Sequence, residues 1–233
     1  MLEWIHKANG NFQIVELTKP RMESKLGLPT HCAPPLRAED TKMATAQNIA
    51  DHILWSSHES GSFISNLKLQ KLLYYVQSWH LAINDSALFS EKFEAWVHGP
   101  AIPEIYRRYK RFSWRSIDEE VEQPILDDHT RRFVEEVLDE YGHLDARRLE
   151  YLTHREEPWI SARKGVSEGE SCSTYIDESL MKSYYRSRLE EERADQAETL
   201  RVREGFEQAQ LHEAELVEGE VSGEGQETNI VPS

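Results

Sequence analysis

The stretch SNLKLQKLLYYVQSWHLAI, residues 65–83, decides what kind of fold this chain adopts. Leu69, Leu72, Leu73, Val76, Trp79 or His80, and Ile83 recur at the three-and-four spacing of one helix face. Ser65 or Asn66 can cap the start, because a short side-chain oxygen accepts from an N–H of the first turn. Lys68, Lys71, Gln77 and Ser78 fall off the stripe, so the pattern predicts an amphipathic helix with those four turned outward. Asn84-Asp85 closes it as a turn.

Helical spacing continues on both sides. Upstream, Thr45 is an N-cap for a helix whose apolar face is Ala46, Ile49, Ala50, Ile53 and Leu54, ending near Gly61. Downstream, DDHTRRFVEEVLDEYG places Phe133, Val134, Val137, Leu138 and Tyr141 on one stripe, with Gly142 as the stop. Asp145 caps a short helix with Leu149 and Leu152 inward, broken at Glu156-Glu157-Pro158-Trp159. Residues 163–173 read as an exposed loop. A last core helix spans TYIDESLMKSYYRS, with Ile176, Leu180, Met181 and Tyr184 inward.

One segment breaks the helical rhythm. In EKFEAWVHG, Phe93, Ala95 and Val97 alternate with Glu94, Trp96 and His98, the period of a strand. A single short strand needs a partner, and the reading pairs it with a loop segment near Ala87–Phe89. After Gly99-Pro100, a helix runs from Pro103 to about Phe112, since proline suits the first helical position and Glu104 the positive end of the dipole. Ile102, Ile105, Tyr106, Tyr109 and Phe112 form its apolar side, and Arg107, Arg108, Lys110 and Arg111 project away. The fold class is mainly α: a compact helical domain with one short strand or hairpin, a flexible N-terminal extension and an acidic C-terminal tail.

Three regions follow. Residues 1–42 hold four prolines between 20 and 35 and no clear period, so they read as a poorly structured extension, with Met43 as the natural start. Residues 43–187 are the helical domain. Residues 188–233 are an acidic tail, partly helical and then disordered. From Ser187 onward thirteen acidic residues face four basic ones, which accounts for more than half of the net charge of −15. That field disfavours nucleic acid as a partner. No apolar run approaches a membrane helix, and no secretory signal is visible, which points to a cytoplasmic protein. Two cysteines, Cys32 and Cys172, read as unpaired reduced thiols.

The search for chemistry is short. Neither a Gly-rich phosphate loop nor H-E-x-x-H occurs, so no cofactor or metal is implied. His154 with Glu156 and Glu157 is the nearest approach to a metal cluster, and it reads better as surface or capping. Cys172 sits among serine, glycine and glutamate, which would raise its pKa rather than activate it. The run RRYKRFSWR mixes cations with aromatics as single-strand binders do, but its aromatics recur at helical spacing and turn inward. A basic strip on an acidic protein also suits an acidic protein partner.

Four blocks in order, NLKLQKLLYYVQSWHLA, FEAWVHGPAIPEIYRRY, LTHREEPWISARKG and IDESLMKSYY, resemble the Panacea domain of the SocA-type phage-associated antitoxins over about residues 43–187. The matching motif positions are Leu69, Lys71, Leu72, Leu73, Tyr74, then Gly99, Pro100, Ile105, Tyr106, then Pro158 and Trp159. The resemblance implies a non-enzymatic antitoxin that binds a co-encoded toxin directly. Its alternatives are an adaptor that delivers the toxin to an AAA+ protease, and a DNA-binding autoregulator using Arg107–Arg115. The partner-contact residues it suggests are Lys71, Tyr74, Trp96, His98, Gly99, Pro100, Tyr106, Arg107, Arg108, Arg111 and Trp159.

Overall fold

The computed structural model describes residues 7–8, 11–12 and 44–221. Two two-residue strands, β1 (Lys7–Ala8) and β2 (Asn11–Phe12), pair antiparallel. The rest of the 1–42 extension, Met43 and residues 222–233 lie outside the described residues, and with them the expected linker and disordered end.

Helix α1 (Ala46–Glu59) starts on the expected cap. Thr45 accepts from Asn48 N, and Asn48 bonds back to Thr45 N, a reciprocal capping box. Helix α2 (Asn66–Asn84) starts on Ser65 and ends on Asp85 in the left-handed conformation, φ 62°. Around α2 pack α1, α3 (Pro103–Tyr109), α4 (Asp128–Tyr141), α5 (Ala146–Thr153) and the strand β4 (Gly99–Ala101). A 3₁₀ turn, Lys110–Phe112, extends α3, and a short helix α6 (Glu157–Ala162) begins at Glu157-Pro158.

The enclosure corrects the amphipathic reading of α2. Fifteen of its nineteen residues are buried, and Lys71, Gln77 and Ser78 are among them. Periodicity marks the most apolar face but does not count how many neighbours a helix has. Gln77 shows what a buried polar residue does here: its Nε2 donates to Phe89 O at 2.9 Å and its Oε1 accepts from Leu88 N at 3.0 Å. It pins the loop after α2 as backbone would. Lys68, half-buried, donates from Nζ to Gly142 O at 2.6 Å and ties α2 to the end of α4.

The strand pairing also differs from the expectation. Strand β3 (Glu94–Trp96) pairs with β4, not with Ala87–Phe89, in the register Glu94↔Ala101, Ala95↔Pro100, Trp96↔Gly99. Val97 and His98 form the two-residue turn between them. The other edge of β3 is covered by chain from after α6, where Ala95 N donates to Thr174 O at 2.9 Å and Ile176 N to Phe93 O at 2.8 Å. Residues 174–177, expected to open the last helix, lie outside it, with Tyr175 bridged to Glu94 and the helix starting at Glu178, while the loop 163–173 is mostly exposed, as expected. It is anchored by Arg163, whose guanidinium is buried and donates to the carbonyls of Ala95 and Glu170 at 2.8 and 2.7 Å. Cys172 is buried with it and unpaired.

The first unit of the chain ends at Leu189 and the second begins at Glu190. Helix α7 (Glu178–Val221) continues past that boundary. In the first unit its inward positions are Met181, Tyr185 and Leu189, four residues apart. Leu180 and Tyr184, expected inward, are only partly buried, so the stripe is rotated by about one position. In the second unit the described side chains of residues 190–203 are exposed or half-exposed, as their charge dictates.

Under α2 lies a polar island. Glu156 is buried, and accepts from Tyr185 OH at 2.7 Å and Tyr75 OH at 3.2 Å, with Arg188 at 3.8 Å. Burial pushes its carboxyl above the usual range against those favourable bonds. Tyr75 stacks on Tyr141 at 3.9 Å, and Trp79 Nε1 donates to Tyr141 OH at 3.0 Å. A buried carboxyl is tolerated here because each of its two oxygens has a hydroxyl donor and a guanidinium stands nearby.

Candidate partner-binding site

The hairpin turn, α3 and the loop after it enclose a pocket of about 570 Å³. Trp96, His98, Tyr106 and Trp114 contribute its aromatic surface, and Lys71 lies on its lining from α2. The rim is held open to solvent: Tyr106 is 39 % exposed and Trp114 is 62 % exposed. Trp96 and Tyr106 meet edge to face at 4.8 Å, and His98 meets Trp114 the same way at 5.4 Å.

Each of these side chains is fixed from below. Trp114 sits between Arg115 N→Phe112 O at 2.9 Å and Ile117 N→Ile64 O at 2.8 Å, so the loop is pinned at both ends. The residue before it, Ser113, has φ 52° and ψ −120°, a conformation sparsely open to any residue but glycine. His98 is held by Nδ1 against Glu150 Oε1 at 2.7 Å, and Glu150 also accepts from Arg147 at 3.2 Å. Gly99 has φ +90°, and a Cβ there would lie 2.7 Å from Thr153 Oγ1 and 2.8 Å from Lys71 Cε. Both its backbone and its surroundings therefore demand glycine.

Lys71 is 1 % exposed. Its Nζ donates to Pro100 O at 2.8 Å, the one hydrogen bond it makes among the described residues. Burial pulls its pKa down to about 7, with Glu150 offsetting part of the shift. At the C-terminal cap of α5, burial also lowers the pKa of His154, whose ring stacks on Trp159 at 4.1 Å.

The expected contact residues separate accordingly. Lys71, Trp96, His98, Gly99 and Tyr106 come together at the pocket. Tyr74 does not: it is fully buried, edge-on to Phe93 at 5.5 Å, and belongs to the core. Tyr106, expected inward, stands outward, because Ile105 and Tyr109 take the inner positions of α3. Pro100 is buried in β4 and supplies a carbonyl. Trp159 braces the hairpin from beneath, with Nε1 donating to Trp96 O at 3.0 Å. Arg108 and Arg111 both bond Glu119, and Arg107 pairs with Glu104 at 3.1 Å. The hydrogen bond from Arg108 holds the Glu119 carboxyl below its usual range. Trp114, Glu150 and Asn66 were not among the expected contact residues, and Trp114, whose run of aromatics was expected to turn inward, is exposed. The tryptophan in RRYKRFSWR was the available signal for the first of them.

Among the described residues no group of three or more His, Cys, Asp and Glu side chains could hold a metal ion. Among them also, no helix is long and apolar enough to cross a membrane. The fold and the site are thus those of a helical domain with a pre-shaped aromatic pocket open to solvent.

Comparison with known proteins gives a family that part of the chain is similar to. Residues 69–160 match the family described as antitoxin SocA-like, Panacea domain. Antitoxin SocA from Caulobacter vibrioides (strain NA1000 / CB15N) is 28% identical over 166 residues, covering 66% of this chain and 88% of that protein. No solved structure matches the chain. The matched segment contains Lys71, the hairpin, Tyr106, Trp114 and Trp159.

Proposed function

We propose that this protein is an antitoxin that neutralises a toxin encoded beside it by binding the toxin directly, without catalysis, at the face around the pocket. The observation that carries this reading is the pair of exposed, pre-positioned aromatics, Tyr106 and Trp114, over a shaped cavity. Large aromatics that are ordered yet exposed are what dominates binding energy once a partner covers them. The boundaries 43–187 for the binding domain and 188–233 for an accessory tail belong to the same reading, and so does a cytoplasmic site of action.

Co-expression with the neighbouring gene's product is the test. The intact chain should rescue growth and co-purify with that product, and Trp114→Ala with Tyr106→Ala should abolish both. Rescue that survives the double substitution would sink the proposed face. The toxin's half-life separates the mechanisms: unchanged or lengthened for sequestration, shortened for delivery to an AAA+ protease. The DNA-binding alternative is weakened by Glu119, which pairs with both Arg108 and Arg111 and offsets one of their two charges.

A further inference from the structure

The polar lining of the pocket is unevenly satisfied. The side-chain amide acceptors are taken, since Asn66 Oδ1 receives Gln70 Nε2 at 3.1 Å and Gln70 Oε1 receives Ile102 N at 2.8 Å, and one oxygen of the Glu94 carboxylate, Oε2, receives Trp96 Nε1 at 2.7 Å. Cationic donors are left over. Lys71 uses one N–H on Pro100 O and keeps two. Lys110 also lines the pocket, and its ammonium makes no ion pair among the described residues. Two lysines with spare donors against the single carboxylate of Glu94, within aromatic walls, are complementary to an anion on an apolar body.

We propose that the pocket receives a carboxylate borne by an aromatic or apolar residue of the toxin, with Lys71 Nζ as its charge partner and Trp96, Tyr106 and Trp114 around its apolar part. This rests on the binding reading above and names the chemistry that reading leaves open. The position of Lys71 supports it. A lysine at full burial is costly to keep charged, and an anion beside it supplies the compensation that one carbonyl does not. Among these cations only Lys71 sits deep enough; Arg107, Arg108 and Arg111 are outside and paired.

Binding then carries a proton with it. The free protein holds Lys71 with a pKa of about 7. A carboxylate at Nζ favours the ammonium, so a proton is taken up when the site fills above neutral pH. The other charged or titratable groups around Lys71 are Glu150 of α5, His154 at its C-terminal cap, His98 of the turn, Glu94 of β3 and Lys110. Arg147 is bonded to Glu150 behind them.

The probe is N-acetyl-tryptophan, with its carboxamide as control, titrated calorimetrically into the full-length chain in phosphate and in Tris. The acid should bind at millimolar concentration or better, at least tenfold tighter than the amide. Its heat should depend on the buffer at pH 8, reporting proton uptake. Its affinity should fall by roughly tenfold per pH unit above pH 7.5, a slope that persists in His98→Gln and disappears in Lys71→Met. Equal binding of acid and amide, no binding of the acid, or buffer-independent heat overturns the proposal in the unmodified protein, whether or not the Lys71 variant folds. With the toxin itself, a complex broken by Trp114→Ala but untouched by a folded Lys71→Met removes the carboxylate anchor and leaves the binding face. A complex untouched by both removes the face.

Discussion

Two buried ionisable side chains, Glu156 and Lys71, sit in two regions of the same domain and mean different things. Glu156 is surrounded by hydroxyls and a guanidinium that were placed for it, from α2 and α7. Lys71 has one carbonyl and an opening. A buried charge whose partners are all supplied by the fold is architecture. One whose donors outnumber its acceptors, beside a cavity, is a site waiting on something else. The same contrast separates the aromatics: Tyr75 and Tyr141 stack in the core, while Tyr106 and Trp114 meet solvent.

The comparison can be broken most easily at Glu156. Glu156→Ala strands Tyr75, Tyr185 and Arg188 and should cost about 3–5 kcal/mol in urea unfolding. A loss below about 1 kcal/mol would show the island is not structural. Next comes Gly99→Ala, where a positive φ and a close approach to Thr153 and Lys71 add together; about 2–3 kcal/mol of stability should go, with partner binding. A near-neutral result would mean the hairpin relaxes freely.

Lys71→Met should act in the opposite direction. The unfolded chain keeps a lysine near its ordinary value of 10.5, and the folded chain lowers it to about 7. Between those values the unfolded state holds a proton that the folded state lacks, so the protein's stability rises with pH across the window. Below pH 7 the burial penalty is at its fullest. Methionine removes it, so the variant should be about 1–2 kcal/mol more stable at pH 7, an advantage that shrinks toward pH 10 while partner binding falls. A destabilised variant would place Lys71 with Glu156 as architecture. The smallest stability effect belongs to Trp114→Ala, within about 0.5 kcal/mol, although toxin affinity should fall at least tenfold in a pull-down titration. A large loss of melting temperature would turn Trp114 from contact to scaffold.

Much of this was legible in the chain. The caps at Thr45, Ser65 and Asp145 were readable because capping is a short-range bond between a side chain and the next turn. The apolar faces of α1 and α4 were readable because each packs on one side only. The two-residue turn at Val97-His98 was missed because Gly99-Pro100 looks like a turn itself, although it is the second strand. Phase within α7 was missed by a residue because Leu180, Met181, Tyr184 and Tyr185 offer two stripes, and nothing local chooses between them.

What the sequence determined by itself was therefore the set of helices, most of their starts and stops, and a resemblance to an antitoxin family carried by its motif blocks. Those depend on neighbours a few residues apart. Tertiary structure alone decided that α2 is enclosed by its neighbours, that Lys71 lies beneath a pocket and not on the surface, and that Trp114 rather than Tyr74 faces solvent. Those facts depend on how many elements crowd around one helix. Hydrophobic spacing is blind to that number, because a residue's neighbours across the core are set by contacts far away along the chain.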